Sequence, residues 1–361
     1  MKNVCFFTGT MSHGGGTEHM TQLVANELAR TQKYHVFVLS KCDRIGNPYY
    51  VLDTNVTYDV LDNTPFKGWW SVLKDICLLR RYIKKYRIDI LINVDVGISL
   101  FSLPLTLATP SLKQVFWEHF SVCYSAGNKR MEKLRMLALK YGRAYVTLTP
   151  EDADSLLARG TGNCSVRSIP NICPYPVCTE DYDTKSRVII SIGNTIPVKG
   201  FDMAIQVAGK VFKKHPDWIW KIYGAGSSLG DLREQVKRVQ LEKNVLFEGQ
   251  VKNLVPVYKD AAFLVMTSRS EGFGMVLAEA QAFHLPTIAF DVPYGPRNVI
   301  ENGVNGFLIP PFDIDQMVSR IEELIENNQL RINFSSKATM KLNKLSITNV
   351  IGEWDRLLEE L

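Results

Sequence analysis

The sequence predicts an α/β chain of two doubly wound, parallel-sheet domains facing each other across a cleft, and three observations lead there. Apolar strand-like runs alternate with amphipathic helical segments through both halves of the 361 residues. Each half opens on a strand that runs into a glycine-bearing loop and then a helix. A proline-rich stretch, Ser168-Ile-Pro-Asn-Ile-Cys-Pro-Tyr-Pro-Val-Cys178, separates the halves and reads as an extended linker.

The first half begins with the buried-strand run Val4-Cys5-Phe6-Phe7-Thr8, followed by a loop holding Gly14, Gly15 and Gly16. A helix over 18–31 carries Met20, Leu23, Val24 and Leu28 on one face, and 35–39 is the next strand. Further strands are expected at 88–94, 114–118 and 144–148. In the second half, strand 188–192 meets Gly193, then a loop to Lys199-Gly200 and a helix over 201–214. Strands at 219–223, 245–247, 262–266 and 286–290 alternate with helices. The expected division is a first Rossmann-like domain over 1–170, a linker over 171–186 and a second Rossmann-like domain over 187–345. An amphipathic helix over 346–361, marked by Val350, Trp354, Leu357 and Leu358, is expected to return to the first domain.

Composition excludes several classes. With 46% hydrophobic and 22% charged residues the chain can bury a core and is not disordered. The most apolar segment, 88–107, is interrupted by Asp89, Asn93, Asp95 and Pro104, so it does not read as a membrane span. The N-terminus lacks the pattern of a signal peptide, which places the protein on the cytoplasmic side. Seven scattered cysteines without a Cys-x-x-Cys pair suit a reducing compartment rather than a zinc or disulfide framework. Residues 1–170 hold 21 Lys and Arg against 14 Asp and Glu, a net of +7, whereas the remainder is net −2. The first half is therefore expected to meet something anionic.

The most informative stretch is 268–282, Ser-Arg-Ser-Glu-Gly-Phe-Gly-Met-Val-Leu-Ala-Glu-Ala-Gln-Ala. Glu271-Gly272-Phe273-Gly274 stands at an expected helix start, where free N–H groups and the positive end of the dipole attract anions. Glu279 follows eight positions later, about two helical turns on, so both carboxylates can face one cleft. On spacing alone, a capping glutamate and a solvated one fit equally well. Gly224-Ala-Gly226 with Glu248 at the end of the next strand approaches a dinucleotide fingerprint, but its third glycine comes one place late.

Taken together these segments resemble the retaining GT-B glycosyltransferases often called family 4. The signature of that family is this Glu-Gly-Phe-Gly segment with a second Glu after seven intervening residues. The likeness spans nearly the whole chain and includes Ile192-Gly193, Lys199-Gly200, Glu248-Gly249 and the 302–310 stretch Asn-Gly-Val-Asn-Gly-Phe-Leu-Ile-Pro. It implies that Glu279 holds the ribose of a nucleotide sugar and Glu271 the hydroxyls of the transferred sugar. The amides of Gly272, Phe273, Gly274, Met275 and Val276 would grip sugar and diphosphate, and Lys199 would neutralise the departing diphosphate. Gly15 and Gly16 correspond to the N-terminal glycine loop of the family, and His119 in Trp117-Glu118-His119-Phe120 to the histidine beside the transferred sugar. One departure stands out. Where the family has Arg after Gly193, this chain has Asn194. Arg297 in Tyr294-Gly-Pro-Arg297 is the candidate to compensate, or else a surface residue.

The resemblance further implies retention of configuration, with a UDP-hexose or UDP-N-acetylhexosamine donor and a glycan or lipid-linked acceptor. The setting it implies is bacterial surface polysaccharide assembly, lipopolysaccharide or capsule. Neither Asp181-x-Asp183 nor Asp313-x-Asp315 follows a convincing strand, so no catalytic metal is expected, and no cofactor beyond the nucleotide-sugar co-substrate. A sugar-nucleotide 2-epimerase of the same fold and a non-catalytic sugar-nucleotide binder remain as alternatives. Two basic segments, 69–87 opening on Trp69-Trp70 and 129–143, suit either solvated helix faces or contact with the anionic inner face of the cytoplasmic membrane. No stacking or helix-turn-helix pattern accompanies the charge, so nucleic acid is not an expected partner.

Overall fold

The computed structural model describes every residue except 44–46, 65–67, 124–127 and 161. The chain forms two compact units, Met1–Ile172 with Leu345–Leu361, and Cys173–Lys344.

The first unit is built on a parallel sheet of seven strands: β1 Lys2–Thr8, β2 Tyr34–Ser40, β3 Val56–Val60, β4 Ile90–Val94, β5 Lys113–Trp117, β6 Ala144–Thr147 and β7 Ser165–Ser168. Their spatial order is β3-β2-β1-β4-β5-β6-β7, so the strand order reverses between β1 and β4. Strands β3 and β7 were not foreseen. Both are short edge strands with half-exposed residues, which leaves no apolar run to read. The helices of this part are α1 Gly16–Arg30, α2 Trp69–Lys85, α3 Ser99–Ser102, α4 Leu105–Ala108, α5 Lys129–Tyr141 and α6 Pro150–Leu157. Right-handed crossovers put α1 on one face of the sheet and α2 to α6 on the other. In agreement with that, α3 touches both α2 and α5. Helix α2 buries Val72, Asp75, Leu79 and Ile83, one residue per turn, against Cys5, Phe7 and Leu91 of the sheet.

The second unit has six parallel strands: β8 Val188–Ile192, β9 Ile219–Tyr223, β10 Val245–Gly249, β11 Phe263–Met266, β12 Thr287–Phe290 and β13 Gly306–Ile309. The order is β10-β9-β8-β11-β12-β13, with its reversal between β8 and β11. Its helices are α7 Phe201–Val211, α8 Leu229–Arg238, α9 Val255–Lys259, α10 Met275–Ala282, α11 Ile314–Glu326 and α12 Asn328–Lys337. Asp313 caps α11, its side chain accepting from Gln316 N at 2.9 Å.

The proline-rich stretch from Cys173 onwards is part of this unit rather than a free spacer. Cys178 N donates to Ala282 O at 2.7 Å, and the Tyr182 hydroxyl to Ala262 O at 2.5 Å. Prolines keep it extended, and an extended backbone finds its partners on the neighbouring domain surface.

A last helix, α13 Ile347–Glu360, packs in the first unit beside α1. Trp354 is fully buried and meets Trp117 edge-on at 4.9 Å. The Lys2 ammonium donates to Leu358 O at 2.7 Å, and the Tyr34 hydroxyl to Asp355 Oδ1 at 2.7 Å.

Candidate functional site

In doubly wound sheets, ligands gather at the carboxyl ends of the strands where their order reverses. In the second unit those strands are β8 and β11. The loop after β8 carries Gly193, Asn194 and Lys199, and the loop after β11 carries Ser268 and Glu271. The topology thus collects two segments separated by more than seventy residues.

Close backbone packing makes this possible. A Cβ on Gly224 would overlap the Gly193 carbonyl, and one on Gly200 would overlap the carbonyl of Thr267. Gly200 also has φ +65°, a left-handed conformation that suits glycine. Arg269 ties the two loops together. Its N–H donates to Val198 O at 2.7 Å, and its guanidinium grips Asp202 with two bonds of 2.7 Å. Those bonds from Arg269 hold the Asp202 carboxyl below its ordinary range.

Lys199 closes a short turn, and its side chain lies across Gly193. Its ammonium meets Glu271 Oε1 at 2.7 Å, and the Ser268 hydroxyl donates to the same oxygen at 2.5 Å. Glu271 is only 9% exposed, yet its Oε2 has no partner among the described residues and is not sealed from solvent. Glu279, 8% exposed, repeats the pattern. Its Oε2 accepts from the Tyr258 hydroxyl at 2.6 Å, and Oε1 is left open. Burial raises the Glu279 pKa, and only the bond from Tyr258 opposes that rise.

The two carboxylates are not two turns of one helix, as the spacing suggested. Gly274 caps α10 in a left-handed conformation, φ +81°, so Glu271 lies outside the helix and only Glu279 within it. Glu271 instead makes an isolated bridge with Tyr294. The cap leaves the first amides of α10, at Met275 and Val276, at the helix start beside Gly272 and Phe273. A Cβ on Gly295 would strike the Phe273 backbone, so 294–297 lies directly on this loop.

Arg297 is nearby in sequence but already engaged, its Nε and Nη2 bonding Asp291 at 2.5 and 2.7 Å. Asn194 is exposed at the site's edge. Ser268 and Tyr258 were missed. The spacing Ser268-x-x-Glu271 was a local signal for the first. Nothing local pointed to Tyr258, which reaches Glu279 from another helix.

In the first unit, Gly15 is the N-cap of α1, and a Cβ on it would displace the end of the Glu18 side chain. Gly16 faces open space. The preceding loop is held by Asp43, which accepts from Met11 N at 2.8 Å, Ser12 N at 3.1 Å and the Thr10 hydroxyl at 2.8 Å. His119 follows β5 and is 8% exposed, its ring 4.2 Å from that of Trp117. Its buried Nε2 has no partner among the described residues, and burial lowers its pKa to about 3, so the ring is neutral. Beside it, Glu118 accepts from Arg135 at 3.1 and 3.2 Å and from the Tyr145 hydroxyl at 2.7 Å. Burial and then the Asp95 carboxylate push Glu118 up to about 8, against the pull of Arg135. Arg135 is therefore fully buried and not part of a solvated basic face.

Residues 180–341 match the family described as glycosyl transferases group 1. A relative from Haemophilus influenzae, an uncharacterized glycosyltransferase, is 31% identical over 99% of this chain and 100% of its own length. The Erwinia amylovora amylovoran biosynthesis glycosyltransferase AmsD is 25% identical over 96% of this chain and 97% of its own. Among solved structures, S. aureus TarM in a complex containing UDP and α-GlcNAc-glycerol superposes with a TM-score of 0.82 at 18% identity, covering 99% of both chains. Anabaena HepE in complex with UDP-glucose gives 0.83 at 16%, covering 99% of this chain and 100% of HepE. The fold is GT-B, and the chain belongs to the group 1 glycosyltransferases.

Proposed function

We propose that this glycosyltransferase moves a hexose or N-acetylhexosamine from a UDP-sugar to a glycan or lipid-linked acceptor of a bacterial surface polysaccharide, with retention and without a metal ion. The observation that carries the reading is the pair of carboxylates that follows β11, Glu271 in the loop at the switch point and Glu279 in α10. Each of Glu271 and Glu279 has one oxygen fixed by protein donors and the other open. A carboxylate so held accepts sugar or ribose hydroxyls without having to be ordered first. UDP in the complexes of TarM and HepE supports the choice of nucleotide, and AmsD supports the setting.

In the reaction, the bond from the anomeric carbon to the diphosphate oxygen breaks and its electron pair leaves with the diphosphate. Lys199 and the α10 amides stabilise that growing charge. The acceptor oxygen bonds to the same face of the anomeric carbon, and its proton passes to the departing phosphate. The family resemblance would give His119, whose ring burial keeps neutral in the first unit, the place beside the transferred sugar.

The first unit would work against an anionic membrane surface. Trp69 and Trp70, at the start of α2, are 74% and 84% exposed. Arg80, Arg81 and Lys84 on the same helix, and Lys129, Arg130, Lys133 and Lys140 on α5, are exposed on one side of the sheet. No described helix is long and apolar enough to cross a membrane.

The test is binding and slow hydrolysis of UDP-, GDP- and ADP-sugars with and without EDTA. Tight binding of one UDP-sugar, unaffected by EDTA, is expected. Failure to bind any nucleotide sugar would overturn the reading.

A further inference from the structure

Glu279 is an acid that burial works to neutralise. It is 8% exposed, and burial raises its pKa. A neutral carboxyl would be a poor acceptor for a ribose diol, so something must keep it charged and aimed. Only one described side chain bonds to it, the Tyr258 hydroxyl at 2.6 Å.

Tyr258 is well built for that task. It is fully buried in α9, its ring stacked on Phe283 at 5.2 Å with 14° between planes and met edge-on by Tyr175 at 5.9 Å. Packed on two sides, the ring has one position, so the hydroxyl has one direction. Burial, followed by the charge of Glu279, drives the phenol's pKa well above its ordinary value, so it stays a donor. Among the described residues, Cys173 is the other titratable group that Glu279 acts on, and burial pushes its thiol up to about 11, leaving it uncharged. Tyr175 acts on the Tyr258 phenol in turn.

We propose that Tyr258 is a positioning residue for ribose recognition. Its phenol occupies Oε2, fixes the direction of the Glu279 carboxyl, and presents Oε1 to the ribose hydroxyls. The role rests on the donor-site reading above but assigns a residue that touches no ligand.

Tyr258→Phe removes the hydroxyl and keeps the ring. The experiment is calorimetric titration of the full chain with UDP and with 2′,3′-dideoxy-UDP across pH, for wild type, Tyr258→Phe, Glu279→Gln and the double variant. Wild type should prefer UDP. Tyr258→Phe should lose about tenfold or more in UDP affinity, the worth of a bond to a charged group, and little for the dideoxy compound. Binding that needs an ionised Glu279 fails as pH falls through its pKa. That acid limb should lie at higher pH in Tyr258→Phe, where the one lowering bond is gone. In the Glu279→Gln background the Tyr258 substitution should have little further effect.

Equal loss for both nucleotides, an unmoved acid limb, or additive losses in the double variant would make Tyr258 a packing residue and overturn the inference alone. Failure of wild type to bind UDP would overturn the donor site and this role with it. Thermal melting without ligand separates misfolding from either result.

Discussion

Replacing Lys199 by alanine tests the site most directly, because the ammonium that pairs with Glu271 is also the one proposed to meet the departing diphosphate. In the free protein it is 2.7 Å from Glu271 Oε1, with its side chain 27% exposed. Losing a half-buried pair of this kind should cost stability modestly, about 1 kcal/mol, since Ser268 still bonds the carboxylate. For a unit of this size that is a melting shift of roughly 2–4 °C. The catalytic effect should be much larger. A preorganised donor aimed at charge that develops in the transition state is worth about 2.7–4 kcal/mol, so kcat should fall roughly 10²–10³-fold. The assay is UDP release from the donor under single-turnover conditions, alongside a melting curve. Lys199→Arg should recover only part of the rate, because a planar fork does not occupy the place of a compact ammonium. A folded Lys199→Ala protein that releases UDP at the wild-type rate would refute the assignment of the leaving-group charge to this residue.

Three further outcomes follow from the same geometry. Asn194→Arg places a guanidinium at an exposed position beside Lys199, and should raise kcat by up to about tenfold, the worth of one charge-assisted bond, read in the same UDP-release assay. Trp69→Ser with Trp70→Ser removes two rings exposed by 74% and 84%; stability should change by less than about 0.5 kcal/mol, while sedimentation with anionic phospholipid vesicles should drop sharply. His119, whose pKa burial lowers from 6.5 to about 3, takes up protons on unfolding below pH 6.5, so it destabilises the fold progressively as pH falls through that window. His119→Gln should therefore flatten the acid side of the plot of Tm against pH.

The sequence made the two-domain alternation legible because buried parallel strands are apolar throughout, as in β4 and β11, where every residue is buried. The glycines around the site were legible for a related reason, since close approach of two backbones leaves room for nothing else. What escaped were features made by tertiary pairing. Strands β3 and β7 lie at sheet edges, where one side stays polar. The helical spacing of Glu271 and Glu279 failed because a left-handed glycine at 274 starts the helix late. Arg135 read as part of a basic surface, but its partner Glu118 is seventeen residues away in the chain. Tyr258 reads as an ordinary aromatic of a short helix until Glu279 is brought to it.

Asn194 bears on whether the site transfers or only binds. A binder needs the ribose and diphosphate held in their ground state, a grip proposed here for Glu279 and the α10 amides. A transferase needs charge that acts more strongly as the diphosphate departs. The start of α10 contributes an equivalent of about half a positive charge, and Lys199 one more. With Asn194 in place of a second cation, most of the side-chain charge proposed to follow the departing diphosphate resides on Lys199. In the free protein that side chain is held by Glu271, the same carboxylate proposed for the sugar. On the proposed reading, donor binding would set two exchanges in one place: sugar hydroxyls for the Lys199 ammonium at Glu271, and phosphate oxygens for Glu271 at Lys199. A site built only to bind would gain nothing from pairing the Lys199 ammonium with the carboxylate proposed for the sugar. A site that must neutralise a leaving group at the moment the sugar is gripped gains the coupling between the two events. The opposite signs expected for Lys199→Ala and Asn194→Arg follow from the positive charge that one removes and the other adds beside the leaving group.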